Sequence, residues 1–336
     1  MATNILRQAH YHDENAAFQA LEEIMWPNGP VCPHCRATDR LGRLENQRTK
    51  ASKKHPQGRL IHGLWKCYHC KQKFTVRVGT IFEDSHLELY KWLQAAFLMC
   101  SSKKGVSANQ LHRTLGCTLK TAWFVAHRLR EAMAPHGKQE PLGGVGKVIE
   151  ADHTYMGKRR GRATGRSTFV TGHGWAEPTA RIETERKIFS LVERGGSVRS
   201  FHVDRADGPT VMKILKANAN RESLLATDEA PVFERPGWQF AAHYSVNHSQ
   251  DEWVRDWVHT NTIEGYFSIF KRGMKGVYQH CKEKHLHRYL AEFDFRYSNR
   301  VALGCDDTTR TVRALQGAKG KRLTYGPARS TRTAAN

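Results

Sequence analysis

The chain has 336 residues, of which 39% are hydrophobic, so it is long enough for two or three domains and can bury at least one core. Lysine and arginine number 53 against 32 acidic residues, and the resulting net charge of +21 favours a polyanionic partner, above all nucleic acid. The sequence has neither a long uncharged apolar run nor a basic helix with a lipid-facing stripe, which argues against a membrane protein.

The N-terminal segment lacks the apolar core of a secretory signal, so we expect the protein in the cytoplasm, on the nucleoid when it is bound to DNA. Residues from Asp13 to Met25 carry apolar side chains at helical spacing, and Pro27 ends the pattern. We therefore predict a short helix that leads into the first cysteines.

Two C-x2-C motifs, CPHC and CYHC, follow this helix. Four thiolates can close a tetrahedral Zn²⁺ site, and such a site is structural because no coordination position stays open. The alternative is a set of unliganded buried thiols. The predicted zinc ligands are Cys32, Cys35, Cys67 and Cys70.

The two motifs are separated by 31 residues, a long gap that a metal-closed loop tolerates at little entropic cost. Most of this gap, from Arg43 to His62, is rich in lysine and arginine and contains one acid, Glu45. We predict a mobile basic loop here.

A three-helix unit is predicted next, with helices from Leu87 to Cys100, from Ser107 to Leu115 and from Leu119 to Met133. Gly116 supplies a turn between the last two, and Thr118 can cap the third helix. This pattern is typical of a helix-turn-helix, although an ordinary helical hairpin would look the same. The residues predicted to contact DNA are Lys120, Thr121, His127, Arg128 and Arg130.

Short strands dominate after a proline- and glycine-rich linker that begins at Pro135. They are predicted from Val148 to Met156, from Lys187 to Glu193, from Val198 to Asp204 and from Ser223 to Thr227, with a helix near Pro209 to Ala217. An exposed basic loop is predicted from Gly157 to Ser167, and two helices from Asn261 to Met274 and from His285 to Tyr297.

Three acidic residues in this part of the chain occupy positions that favour a metal site. Asp152 lies mid-strand among apolar residues, where an unpaired charge is costly, and Asp228 lies at the end of a strand. Glu264 lies near the start of a helix. If the three carboxylates converge, they can hold two divalent ions for in-line attack on a phosphodiester. Glu150 and Asp204 are rivals; we expect Glu150 on the opposite face from Asp152, whereas Asp204 could join the site.

Several long segments of the chain resemble the insertion-sequence transposases of the IS1595 (ISXO2-like) family. The resemblance is carried by CPHC, CYHC, KTAWFVAHRLREAM, IEADHTYMGK, FSLVERGGSVRS, LLATDEA, VNHSQDEWV, HTNTIEGYFSIFKRGMKGVYQH and KHLHRYLAEFDFRYSNR. It implies a mixed α/β fold, with a ribonuclease-H-like catalytic domain after a zinc ribbon and a helix-turn-helix.

The resemblance also implies a DDE triad of Asp152, Asp228 and Glu264 that binds Mg²⁺ or Mn²⁺. Asn261 and Lys271 are implied as accessory site residues, and Lys271 would contact a phosphate. The position after the first aspartate is usually acidic in this family but is His153 here.

The sequence therefore predicts four parts: the N-terminal helix and zinc ribbon over 1–80, the helix-turn-helix over 81–137, the catalytic domain over 138–307 and a disordered basic tail over 308–336. The predicted function is a DNA transposase that binds element ends and target DNA, cleaves and joins strands, and acts as a dimer or larger oligomer. The alternatives are a zinc-dependent DNA-binding regulator and a nuclease that cuts without joining.

Overall fold

The computed structural model describes residues 5–53, 55–157 and 185–324. The contacts divide the chain into two compact units. The first comprises Met1–Gln139, Arg272–Cys281 and Arg288–Asn336, and the second comprises Glu140–Lys271 and Lys282–His287. Most of the basic loop predicted from Gly157 to Ser167 lies outside the described residues.

The first unit begins with a helix and a small three-stranded sheet. These elements are α1 (Glu14–Met25), β1 (Leu41–Arg43), β2 (Trp65–Cys67) and β3 (Lys73–Phe74). Asp13 caps α1 by accepting a hydrogen bond from the Ala16 N–H at 2.7 Å. Both strand pairs are antiparallel, and the buried Cys32, Cys67 and Phe74 form the core of this small sheet.

The segment predicted as a mobile basic loop pairs with itself in the structure. Leu44 N–H donates to the Leu64 carbonyl, and Thr49 N–H donates to the Arg59 carbonyl. Arg48 and Leu60 form an isolated antiparallel bridge. The described residues therefore form a paired segment rather than an open loop, because backbone hydrogen bonds can order a polar segment that buries few apolar side chains.

Three helices continue the first unit: α2 (Leu89–Ser101), α3 (Ala108–Leu115) and α4 (Leu119–Met133). Gly116 ends α3 in the left-handed conformation at φ 60°, which glycine adopts without a steric penalty. Thr118 caps α4 by accepting from the Thr121 N–H at 3.2 Å. The predicted turn and cap are thus observed, and the helices begin and end within two residues of their predicted boundaries.

The second unit contains a five-stranded sheet, built from β4 (Val148–Met156), β5 (Arg186–Glu193), β6 (Val198–Val203), β7 (Leu224–Thr227) and β8 (Ala242–Ser245). The strand order is β6-β5-β4-β7-β8. The β6–β5 and β5–β4 pairs are antiparallel, whereas β4–β7 and β7–β8 are parallel. The mixed α/β fold class is confirmed, and this topology is the one expected for a ribonuclease-H-like domain.

The second unit also contains α5 (Gly208–Asn218), the short α6 (Glu234–Gly237), the hairpin strands β9 (Val254–Arg255) and β10 (Val258–His259), and all of α7 (Asn261–Gly273) except its last two residues. A core of Ile149, Phe189, Leu191, Leu215 and Leu225 joins the sheet to α5. β9 and β10 were not predicted because strands of two residues carry almost no periodic signal, and β8 was not predicted because it lacks the apolar run that marks β7.

The last helices are α8 (Leu286–Ser298) and α9 (Asp307–Gln316). α9 overturns the first part of the predicted disordered tail. Arg310 is buried in the first unit, where its guanidinium donates to the carbonyls of Cys100 and Asn299. Ala314 and Leu315 join the main core. Among the described residues, no helix is both long and apolar enough to cross a membrane.

Candidate active site

The sheet of the second unit brings two of the predicted acids together. Asp152 lies in the middle of β4, and Asp228 directly follows β7, the parallel neighbour of β4. Polar side chains at the ends of parallel strands face a shared crevice. One carboxylate oxygen of each aspartate and one ring nitrogen of His153 lie within 4.8 Å of one another.

His153 presents its imidazole to this cluster. Its backbone N–H donates to Asp152 Oδ1 at 2.6 Å, and its Nδ1 lies 3.9 Å from the same oxygen. Within the described part of the chain, Nδ1 is buried and has no hydrogen-bond partner. Two carboxylates and a free imidazole nitrogen are a suitable donor set for a divalent cation.

Burial and like charge shape the electrostatics of the two aspartates. Burial, followed by the nearby Asp228 carboxylate, raises the pKa of Asp152 to about 7, and the Glu264 carboxylate adds to the effect. Burial also raises the pKa of Asp228, whereas the Ala230 N–H that it accepts opposes this shift. Carboxylates that repel each other in a partly dry pocket would be relieved by a bound cation, so these residues fit the metal that the family resemblance implies.

Glu264 lies in the first turn of α7, close enough to Asp152 to raise its pKa but outside the 4.8 Å cluster. Its Oε1 accepts a hydrogen bond from Thr260 Oγ1 at 2.9 Å and lies 3.5 Å from His248 Nε2. The side chain is 41% exposed, so it remains accessible from solvent. Sequence reasoning did not single out Thr260 or His248, and the only signal for the histidine was its place in the VNHSQDEWV segment.

The two residues predicted as accessory lie on the same helix as Glu264. Asn261 is exposed at the first position of α7, and Lys271 lies ten residues further on. Helical periodicity places both on the side of α7 that carries Glu264, opposite the buried Tyr266 and Phe270. The positive charge of Lys271 is close enough to lower the pKa of Asp152.

The rival acids are not part of the cluster. Glu150 is fully buried, and its carboxylate accepts from Thr262 Oγ1 and Ile263 N–H, each at 2.9 Å, and from Arg194 Nε at 2.6 Å. The expectation that it points away from the face of Asp152 was wrong, because residues two apart in a strand share a face. Asp204 is exposed beyond β6, two strands from β4.

The predicted DNA contacts of α4 need correction. His127, Arg128 and Arg130 are at most 5% exposed and therefore do not face DNA. Arg128 donates to the carbonyls of Ile81 and Glu83, and Arg130 donates to the buried Glu292 at 2.6 Å. Burial of a cation requires such partners, so these arginines stabilise the fold. Lys120 is exposed and Thr121 is half-buried near the N-terminus of α4.

The four predicted zinc ligands converge in the first unit. Their sulfur atoms lie within 4.8 Å of one another, with Cys32 and Cys70 at 3.7 Å and Cys35 and Cys67 at 3.6 Å. All four are free thiols, and a set of four cysteines at these separations suits tetrahedral Zn²⁺.

Comparisons with known proteins agree with this architecture. Residues 141–298 match the ISXO2-like transposase domain, and residues 12–73 match the transposase zinc-ribbon domain. Together these matches span more than half of the chain. A curated relative, an uncharacterized protein in transposable element ISH50 of Halobacterium salinarum, is 26% identical over 289 residues, which cover 84% of this chain and 90% of the relative.

Solved structures give weaker likenesses. The intasome of simian T-cell lymphotropic virus in complex with the PP2A regulatory subunit B56 gamma is 14% identical at a TM-score of 0.27, covering 55% of this chain and 63% of that one. The Mos1 strand transfer complex is 12% identical at a TM-score of 0.27, covering 65% and 75%. Likenesses at scores this low carry no argument about the family, which follows from the sequence matches over 141–298 and 12–73. By those criteria the chain belongs to the IS1595 (ISXO2-like) family of transposases.

Proposed function

We propose that this transposase binds the ends of its insertion sequence, cleaves a strand there and joins the freed 3′-hydroxyl to target DNA, using two divalent metal ions. The observation that carries the proposal is the convergence of Asp152, Asp228 and the His153 imidazole within 4.8 Å. When bound, Mg²⁺ or Mn²⁺ would activate the attacking oxygen and stabilise the leaving one.

The side chains of the second unit have separate roles in this proposal. Asp152 and Asp228 hold the cations together with Glu264, whose carboxylate is oriented by Thr260 and His248. Lys271 pairs with a phosphate of the bound strand in this proposal, which is supported by its charge acting on the nearby Asp152. Asn261, exposed on the same side of α7, can donate to a neighbouring phosphate or sugar oxygen.

The first unit supplies the DNA-binding part of the proposal. The N-terminal turn of α4 presents Lys120 and Thr121, and Arg113 is exposed near the end of α3. In a helix-turn-helix, the start of the second helix enters the major groove. With a net charge of +21, binding should weaken steeply as salt increases. Since two element ends must be brought together, we propose that the active form is a dimer or larger oligomer.

The experiment that tests this function is an assay with labelled element-end DNA and Mg²⁺ or Mn²⁺. The wild type should yield both nicked and joined products. The variant Asp152→Asn should shift the DNA in a gel and yield neither product, because it loses a charged ligand but keeps the DNA-binding unit. A gel shift without any products from the wild type would favour a DNA-binding regulator, and cutting without joining would favour a nuclease.

A further inference from the structure

Three large aromatic side chains of the second unit are exposed along one short stretch of the chain. Tyr244 on β8 is 40% exposed, Trp253 before β9 is 54% exposed, and Trp257 in the β9–β10 turn is 41% exposed. Side chains of this size are normally much more deeply buried. Two accessible tryptophans within five residues therefore mark a surface that is suited to a ligand.

The backbone around these rings is held in place. Arg194 donates to the carbonyls of Trp257 and His259 at 2.8 and 2.7 Å, while its Nε is bound to the buried Glu150. Tyr244 and Trp257 form a T-shaped pair with ring centroids 4.9 Å apart. These contacts hold the hairpin at Trp257 in place beside Tyr244 of β8, which lowers the entropic cost of binding a ligand there.

This aromatic surface adjoins the carboxylate cluster. The His248 ring lies 4.6 Å from the Trp253 ring, and its Nε2 lies 3.5 Å from Glu264 Oε1. Only one side chain therefore separates Trp253 from the third acid of the site. In addition, the β9–β10 register pairs Val254 with His259, so Trp253 is set opposite Thr260, the residue that donates to Glu264.

We propose that Trp253, supported by His248, stacks on an unpaired nucleobase of the DNA strand held at the acidic site. This inference rests on the proposed function. Only if a DNA strand is bound beside Glu264 does one of its bases come near the Trp253 ring. Each of the four bases presents an aromatic face to a tryptophan, so this contact does not depend on the DNA sequence. Arg255 is exposed on the same hairpin and is paired with Glu252 at 2.9 Å, so it would contact an adjoining phosphate only by sharing or exchanging that partner. The alternative ligand of this aromatic surface is a second copy of the chain, and the test must distinguish it from DNA.

The test compares the binding of two single-stranded probes, an oligothymidylate of about 15 nucleotides and an abasic oligomer of the same length and charge. Because both carry the same phosphates, any difference in Kd at fixed salt reports contacts to the bases. Wild-type protein should bind the oligothymidylate about tenfold more tightly, and Trp253→Ala should bind both probes equally. Trp253→Phe keeps a ring and should restore part of the preference.

Trp238→Ala is the matched control, since Trp238 is 77% exposed in the same unit but lies outside this aromatic surface. It should retain the wild-type preference. Equal binding of both probes by the wild type, or an unchanged preference in Trp253→Ala, would overturn the stacking site. A variant that alters the sedimentation of the free protein but not the base preference would instead indicate a contact between copies.

Cleavage of element-end DNA by the wild type, measured in parallel, keeps the two proposals distinguishable. If cleavage occurs while the two probes bind equally, the stacking site fails and the proposed function stands. If cleavage fails while the oligothymidylate is preferred in a Trp253-dependent way, the proposed function fails and the base-binding surface stands.

Discussion

The carboxylate of Glu150 accepts a hydrogen bond from the backbone N–H of Ile263 at 2.9 Å. This bond ties the first turn of α7 to β4, two residues before Asp152. A buried negative charge also complements the positive end of the helix dipole. The strand that carries one proposed catalytic acid and the helix that carries another are therefore fixed to each other by a residue outside the acidic cluster.

Glu150→Gln should reduce cleavage more than it reduces DNA binding. The amide keeps the shape of the side chain but leaves Arg194 and the start of α7 without their buried anion. Loss of one partner of a buried ion pair costs about 3–5 kcal/mol, so a lower Tm is expected as well. A positioning role predicts a fall in kcat of about tenfold or more with an unchanged gel shift.

Glu150→Asp should recover part of the activity lost in Glu150→Gln, because it restores the charge. The matched control is Glu222→Gln, since Glu222 is an exposed acid of the same unit. A Glu150→Gln variant with lowered Tm but unchanged kcat would contradict the positioning role.

Asp152 gives the unfolding free energy a definite dependence on pH in the absence of divalent metal. Its pKa is about 7 in the folded protein and 3.8 in its ordinary state, so the folded state holds the proton more strongly. The associated stability is fully present below pH 3.8 and is lost as the pH rises through about 7. Asp152→Asn does not titrate at this position and should be more stable than the wild type at about pH 8, by at most about 4 kcal/mol.

Urea denaturation in EDTA across this pH range measures the difference. The difference in unfolding free energy between Asp152→Asn and the wild type should shrink as the pH falls from about 7 to about 4. In addition, Mn²⁺ at about pH 8 should stabilise the wild type more than Asp152→Asn. Asp204→Asn serves as the control, because Asp204 is exposed and distant in strand order. A stability difference that grows toward low pH would contradict the assigned sign.

His153 should tune the choice of metal. An imidazole beside two carboxylates favours Mn²⁺ over Mg²⁺, because Mg²⁺ prefers oxygen donors and imidazole nitrogen suits transition metals. Replacing it by glutamate supplies an acid and should weaken the preference for Mn²⁺ on the order of tenfold. Electron paramagnetic resonance of Mn²⁺, titrated against Mg²⁺, measures both affinities without any turnover.

His136→Glu is the control for His153→Glu, since His136 is exposed and lies in the first unit. An identical Mn²⁺ preference in His153→Glu and in the wild type would show that the imidazole is not a ligand.

Much of the fold could be predicted because its elements carry strong local signals. The apolar spacing of α1 and the predicted cap at Thr118 with the helical spacing of α4 gave these helices close to their observed boundaries. Asp152 was recognisable because a charge amid buried apolar residues needs a reason. Residues whose roles arise from long-range contacts carried no such signal. Glu150 is an example, since its partner Ile263 is 113 residues away.

The wrong predictions share a physical cause. A sequence pattern gives the face of one helix but not the number of neighbours packed around it. α4 is buried on several sides, so Arg128 and Arg130 find carbonyl and carboxylate partners instead of DNA. α9 looked disordered because it is polar, yet its Arg310 is stabilised by carbonyls of distant segments.

Lys120 and Arg130 should separate DNA affinity from stability, although both are cations of the same helix. Lys120 is exposed at the start of α4, whereas the guanidinium of Arg130 is buried against Glu292 and the ring of Tyr289. Lys120→Ala should weaken the binding of element-end DNA without changing the Tm. The slope of log Kd against log salt concentration should fall by about one, which corresponds to one released counterion fewer.

Arg130→Ala should instead lower the free energy of unfolding by about 3–5 kcal/mol, because it leaves the Glu292 carboxylate buried with one fewer partner. Chemical denaturation and gel shifts at several salt concentrations measure both quantities for both variants. At a temperature where Arg130→Ala remains folded, its salt slope should equal that of the wild type. A lower slope in Arg130→Ala than in Lys120→Ala would mean that the buried arginine contacts phosphate after all, through an opening of α4 on DNA.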